Sequence, residues 1–251
     1  MADTTTSTRL HVLKAVEEGW SAFTKAPWPF ILFTLLWGVI ALIFQALLNL
    51  TVQGDNQSDL GTGKIVVYII LFVCTIIINF WGVTGLIRGS LIALNGQRPN
   101  FSNFIRWDGS AIGRLITRWI ALSIICLIIA VVASVVGFGL GQLNQALWVI
   151  PGVIAFVIFV YLAVNQKFWV FIALLENKGP FENIQRGRDV VDPSWWWVVL
   201  LIIVEGLILA IGTLLCGVGL LVAAPVVGCI ATAAYRQLFG NEDQNGLLTG
   251  E

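Results

Sequence analysis

Histidine is nearly missing from this chain: there is one, His11, in 251 residues, and it precedes every long apolar stretch. Bis-histidine haem ligation across a helical bundle is thereby excluded, and a Ser-His-Asp hydrolase would have no base among the apolar segments. Cysteine is scarce as well. Cys74, Cys126, Cys216 and Cys229 lie inside apolar stretches with no CxxC spacing, which argues against a zinc site or a disulfide framework and for thiols that pack as small apolar groups. No P-loop or glycine-rich nucleotide motif opens a soluble helix, and nothing in the pattern requires a cofactor. With a formal net charge of zero the chain lacks the positive face that displaces counterions from nucleic acid. Charged residues make up 11% of the chain, about half the ~25% usual in soluble proteins.

What is present is grease: 58% of the residues are hydrophobic. Hydrocarbon offers no hydrogen-bond partner, so each crossing has to be a helix of about 20 residues. Six such spans are predicted, at Pro29–Leu50, Ile65–Ile87, Ile116–Gly137, Ala146–Gln166, Trp195–Leu215 and Gly219–Leu238. Of 14 Lys and Arg residues, six crossings place 13 on one side and only Lys64 on the other. That asymmetry puts both termini in the cytoplasm of a multi-pass protein of the bacterial inner, or another internal, membrane. Residues 1–26 are mostly polar, so a cleavable signal peptide is not expected. Thr51–Lys64 forms an acidic outer loop, Gly137, Gly139 and Gly141 form a second outer turn, and Cys216–Gly219 a third. Arg88 is expected to snorkel to cytoplasmic head groups. Phe168–Leu175 is expected to prolong the fourth helix.

Three connectors carry their own helical pattern. Leu13, Val16, Trp20 and Phe23 recur at helical spacing, which predicts an amphipathic helix lying flat at the cytoplasmic interface. Two further connectors match each other: Phe101-Ser102-Asn103-Phe104-Ile105-Arg106 aligns with Phe181-Glu182-Asn183-Ile184-Gln185-Arg186 at an offset of 80. Each leads to a tryptophan at a membrane entrance: Trp28, Trp119 and Trp195–Trp197. The fold expected is therefore an all-α membrane protein of six transmembrane helices with three cytoplasmic interfacial amphipathic helices. It would form one polytopic domain of three tandem parallel repeats, 8–95, 96–176 and 177–240, with a polar tail at 241–251.

Glu205 stands in the middle of the fifth span, where a charge costs on the order of 2.5–3.5 kcal/mol. Two readings fit it. With Asn79, Gln45 and Asn165 on other helices it would make a proton- or cation-coupled site; alone it would be a neutral carboxyl joining helices by hydrogen bonds. Pro225, followed by Gly228, would break the sixth helix and expose carbonyls to an ion, or only kink it. Arg98, Arg106, Arg114, Arg118, Arg186 and Arg188 form a basic collar that would contact anionic head groups. The same arginines also follow from the positive-inside bias alone.

The last third carries a resemblance. Phe168-Trp169-Val170-Phe171, Pro180, Trp195–Trp197, the stretch Gly217–Pro225 and the ending Ala234-Tyr235-Arg236-Gln237-Leu238-Phe239-Gly240 are similar to a bacterial integral-membrane family of uncharacterised function. That family in turn is similar to the membrane domain fused to some glycerophosphodiester phosphodiesterases. The resemblance implies the helical membrane fold. It does not imply the phosphodiesterase activity, because the catalytic barrel and its metal-binding residues have no counterpart here. The chain is expected to act without catalysis, as an accessory, assembly or scaffold component that contacts the lipid bilayer, anionic lipids or other membrane proteins. The alternative is a small secondary transporter or channel working through Glu205 and the Pro225 break.

Overall fold

The computed structural model describes residues 9–52, 62–215 and 217–248. Most of the expected loop Thr51–Lys64, Cys216, and residues 249–251 of the tail lie outside the described residues. The described residues are helical and contain no strand. Six helical stretches are long and apolar enough to cross a bilayer, which makes this a multi-pass membrane protein. In chain order, α1 (Val12–Lys25), α2 (Pro27–Val52) and α3 (Thr62–Leu94) are followed by the short α4 (Phe101–Ile105), α5 (Gly109–Leu143), α6 (Val149–Asn165) and α7 (Trp169–Leu175). Then come α8 (Pro180–Val191), α9 (Trp195–Leu214) and α10 (Leu220–Phe239). Two compact units are formed. Among the described residues, one contains 9–12, Gly113–Ile203 and Ala234–Leu247; the other contains Leu13–Ile112, Val204–Ala233 and Leu248. Their boundaries do not follow the expected repeat boundaries, and α5, α9 and α10 run through both.

Three sequence expectations are corrected. The glycines read as an outer turn are helical: α5 continues through Gly137 and Gly141 to Leu143. A Cβ at either position would lie 3.4 Å from Trp148, so their smallness serves close packing. The turn falls instead at Asn144, whose side chain caps the Ala146 amide at 3.0 Å. The fourth span is not prolonged as one helix, because a tight turn over Gln166–Phe168 separates α6 from α7, with Lys167 N bonded to Val164 O and Trp169 N to Gln166 O. Pro225 does not break α10, which runs uninterrupted from Leu220 to Phe239. Proline sits there in the second turn, near the end where helix amides lack partners, so little of the hydrogen-bond ladder is lost.

In the unit that holds α2 and α3, glycines bring backbones together. Gly82 lies against the Trp37 ring, and Gly85 and Gly89 against Phe33 and Phe104. Phe104 carries α4 into an aromatic cluster, with ring centroids 4.9 Å from Phe30 and 5.3 Å from Phe33. The small-residue surface of α10 meets α3, where Ser90 Oγ lies 3.4 Å from Cys229 Sγ, and meets α9 where Gly212 abuts Gly219 and Ala223. Gly217, at φ +77°, supplies the left-handed residue of the α9–α10 turn. In the α1 helix Val12, Ala15, Gly19, Ala22 and Phe23 are buried, and Gly19 lies against Ile230 of α10. Leu13 and Trp20, of the expected apolar stripe, remain exposed.

The other unit has its own aromatic core. Tyr235 stacks on Phe171 at 5.2 Å and on Phe239 at 4.8 Å, with Phe168 beside them. The α7 helix is buried from Phe171 to Leu175. The tail is docked rather than free: Leu247 is fully buried, Gln244 N donates to Leu175 O, and Asn245 Nδ2 donates to Leu174 O and Glu176 O. These bonds satisfy carbonyls that the end of α7 leaves open.

A methyl at Gly19 would meet the Ile230 backbone at 2.6 Å. Gly19→Ala is expected to lower stability by about 1–3 kcal/mol, the usual penalty of overpacking, whereas Gly38→Ala, with open space around it, should not. Thermal denaturation of both variants in mild detergent checks the difference.

Candidate functional site

The polar groups collect where the connectors meet the spans. Arg88, near the end of α3, is 1% exposed. Its guanidinium donates to Arg106 O at 2.9 Å and Asn103 O at 3.3 Å, and lies 3.6 Å from the Asp108 carboxylate. Asp108 in turn accepts from Ala111 N at 2.9 Å and Ser110 Oγ at 2.7 Å, which caps α5. One buried cation thus closes the end of α4 and fixes the start of the next span. Lys25 does similar work, donating to Ala93 O at the end of α3.

The second unit builds an analogous arrangement from different residues. Arg114 Nε donates to Ala173 O at 3.3 Å, and Arg118 donates to Lys178 O and to Arg114 O. Buried Asn183 of α8 sits beside them, and with its amide oxygen turned inward it accepts from Arg118 Nε at 3.2 Å and Ala173 N at 3.1 Å. Asp192, ahead of α9, accepts from Asn165 Nδ2 at 2.9 Å and from the Tyr161 hydroxyl at 2.9 Å, and pairs with Arg188. Glu176 lies 3.3 Å from Arg186, and its other oxygen accepts from the Tyr235 hydroxyl at 3.4 Å. Arg186 also lies over the Phe239 ring at 5.6 Å.

Several residues singled out in the sequence have other roles than expected. Arg88 does not snorkel to head groups, because its guanidinium is buried against carbonyls and a carboxylate. Arg118 is likewise buried and does not face lipid head groups. Arg106 donates to Leu248 O, Arg114 to Ala173 O, and Arg186 pairs with Glu176; Arg98 and Arg188 are exposed. The four polar residues grouped around the fifth span lie in different settings. Glu205 is 3% exposed in mid-α9. Gln45 and Asn79 are exposed, the latter bonded to Thr75 O of its own helix. Asn165 belongs to the other unit and holds Asp192. Gly228 sits at the α3–α10 contact, 4.0 Å from Leu86 and Ser90.

Sequence reading missed Asp108, Asp192, Glu176 and Tyr161. A signal was present: Asp108 and Asp192 each stand just ahead of a span that otherwise begins without an acidic residue, and an acid there caps a helix and meets its positive end. No family model matches the chain, and no curated protein or solved structure matches it either.

Arg88→Met removes a buried cation, its ion pair with Asp108 and its donors to two backbone carbonyls. The expected loss is about 3–5 kcal/mol, the range for breaking one side of a buried pair. Arg98→Met, at an exposed arginine, should change stability by under about 0.5 kcal/mol; unfolding of the two variants in detergent measures the contrast.

Proposed function

We propose that this chain is a non-catalytic scaffold of a cell membrane, an accessory or assembly component whose cytoplasmic connectors are held rigid so that they present fixed contacts to lipid and membrane partners. The observation that carries this reading is the use made of the charged groups. Arg88, Arg114 and Arg118 through backbone carbonyls, and Arg88 and Arg186 through a carboxylate, are engaged in fastening connectors to spans, which is the work of a framework.

The element order supports tandem construction. A short helix followed by two spans occurs three times: α1 before α2 and α3, α4 before α5 and α6, α8 before α9 and α10. Each short helix also packs on the second span of another pair, α1 on α10, α4 on α3, and α8 on α6. Each carries exposed apolar residues: Leu13 and Trp20 on α1, Phe101 and Ile105 on α4, and Phe181 on α8. Phe101 and Phe181 are the residues aligned by the sequence match. Such side chains suit the boundary between head groups and acyl chains. Within the bilayer, α5 and α6 leave between them an apolar groove of about 390 Å³ running from Ile128 to Ile158, open to lipid or to a neighbouring protein. The arginine-bearing ends, and with them both termini, face the cytoplasm in this reading.

A transporter reading rests on Glu205 alone, since a carboxyl buried at mid-span is the residue type that carries proton or cation coupling. Continuity of α10 through Pro225 removes its second element.

The triple variant Trp20→Ser, Phe101→Ser, Phe181→Ser is expected to retain its melting temperature in detergent, because exposed substitutions shift stability by less than about 0.5 kcal/mol each. It should lose protein or lipid that co-purifies with the parent chain. An unchanged set of co-purifying proteins and lipids would overturn the scaffold reading. Glu205→Gln should leave insertion and complex formation intact; loss of an ion-dependent flux in proteoliposomes, at normal protein levels, would instead establish the transporter.

A further inference from the structure

The end of α10, the α7–α8 connector and the docked tail enclose a cavity of about 230 Å³. Glu176, Lys178 and Arg186 line it from the connector and α8, Tyr235 and Phe239 from α10, and Glu242 and Gln244 from the tail. Tyr235 and Phe239 belong to the last turns of a helix long and apolar enough to cross a membrane, which in the six-span reading sets the cavity beside the lipid head groups.

Its charges are of both signs and are arranged in an informative way. Glu176 and Arg186 neutralise each other at 3.3 Å. Two ionic groups remain. Lys178 engages the protein through its backbone, accepting from Arg118 and donating to Glu176 O. Its ammonium is left for an anion. Glu242 accepts from Gln244 Nε2 through one oxygen at 3.0 Å, which leaves the other for a donor. A cation from the connector and an anion from the tail, both lining one cavity, complement a zwitterion better than they complement a simple anion, which Glu242 would repel.

The aromatic groups narrow the amine. A quaternary ammonium is recognised by open ring faces, yet both faces of Tyr235 are covered, by Phe171 and Phe239. Phe239 has Tyr235 stacked on it and Arg186 over it. A primary ammonium needs hydrogen-bond acceptors, and Glu242 provides one.

We propose that this cavity binds the phosphoethanolamine head group of a zwitterionic phospholipid, with the phosphate on Lys178 and the primary amine on Glu242. The site is independent of the scaffold reading, since a chain that held no protein partner would still present it.

The test uses the full chain reconstituted in vesicles of phosphatidylcholine doped with phosphatidylethanolamine or with phosphatidylglycerol, and reads the lipids retained on the protein by native mass spectrometry. The ethanolamine lipid is expected to be retained over both others. Lys178→Gln and Glu242→Gln, both at accessible positions, should each weaken that retention about tenfold, the effect of losing one charge-assisted hydrogen bond, while leaving the melting temperature in detergent unchanged. Equal retention of the ethanolamine and choline lipids, preference for the glycerol lipid, or variants that bind like the parent would each overturn the proposal. Soluble phosphoethanolamine, added in a pure phosphatidylcholine background, separates the two sources of the same chemistry. An unaltered melting temperature assigns the site to the lipid, and a rise overturns the lipid assignment in favour of the free head group.

Discussion

A backbone carbonyl at the end of a helix must find a donor, and next to a bilayer water is a poor supplier. This constraint shapes the protein more than any single apolar contact. Cationic and amide side chains repeatedly meet it: Arg88 reaches the carbonyls of Asn103 and Arg106, Arg114 reaches that of Ala173, Arg118 that of Lys178, Lys25 that of Ala93, and Asn245 those of Leu174 and Glu176. An unsatisfied buried polar group costs about 1–3 kcal/mol, so several such closures together rival the net stability of an ordinary domain. Arginine suits the task because its planar fork offers five donors and keeps its charge when buried.

The same side chains account for how much was legible beforehand. Six crossings, their order and the free thiols of Cys74, Cys126 and Cys229 could be read from composition and length, since burial in lipid imposes a run of apolar residues that no other setting requires. The arginines misled for a physical reason. A residue that orients the chain and a residue that clamps a connector need the same chemistry at the same depth, so Arg88 and Arg118 look like head-group contacts until their burial is known. Glycine was ambiguous in a related way. Gly137 and Gly141 are as suitable for a turn as for close helix packing, and only the neighbouring Trp148 decides between them.

The candidate site was less legible than the fold. Glu205, Asn79, Gln45 and Asn165 share a polarity that is rare inside spans, but sequence distance along helices does not say which face each occupies. Asn165 holds Asp192, and Asn79 bonds within its own helix. Tyr235 and Glu176 lie 59 positions apart in the chain and meet only through tertiary packing. The docked tail was hidden for another reason: its anchor, Leu247, stands in one pair of leucines in an otherwise polar stretch, too little for any periodicity to reveal.

The seat of α1 has a consequence for biosynthesis. Gly19 of this helix fits against Ile230, which leaves the ribosome about two hundred residues later. At a translation rate of about 5–20 residues per second, its small-residue face waits roughly 10–40 s for a partner. During that interval the nascent α1 helix is an open adhesive surface, available to an insertion chaperone or a quality-control protease. Docking of α1 therefore reports that α10 has been made, and a chain stopped before α10 carries its own mark of incompleteness.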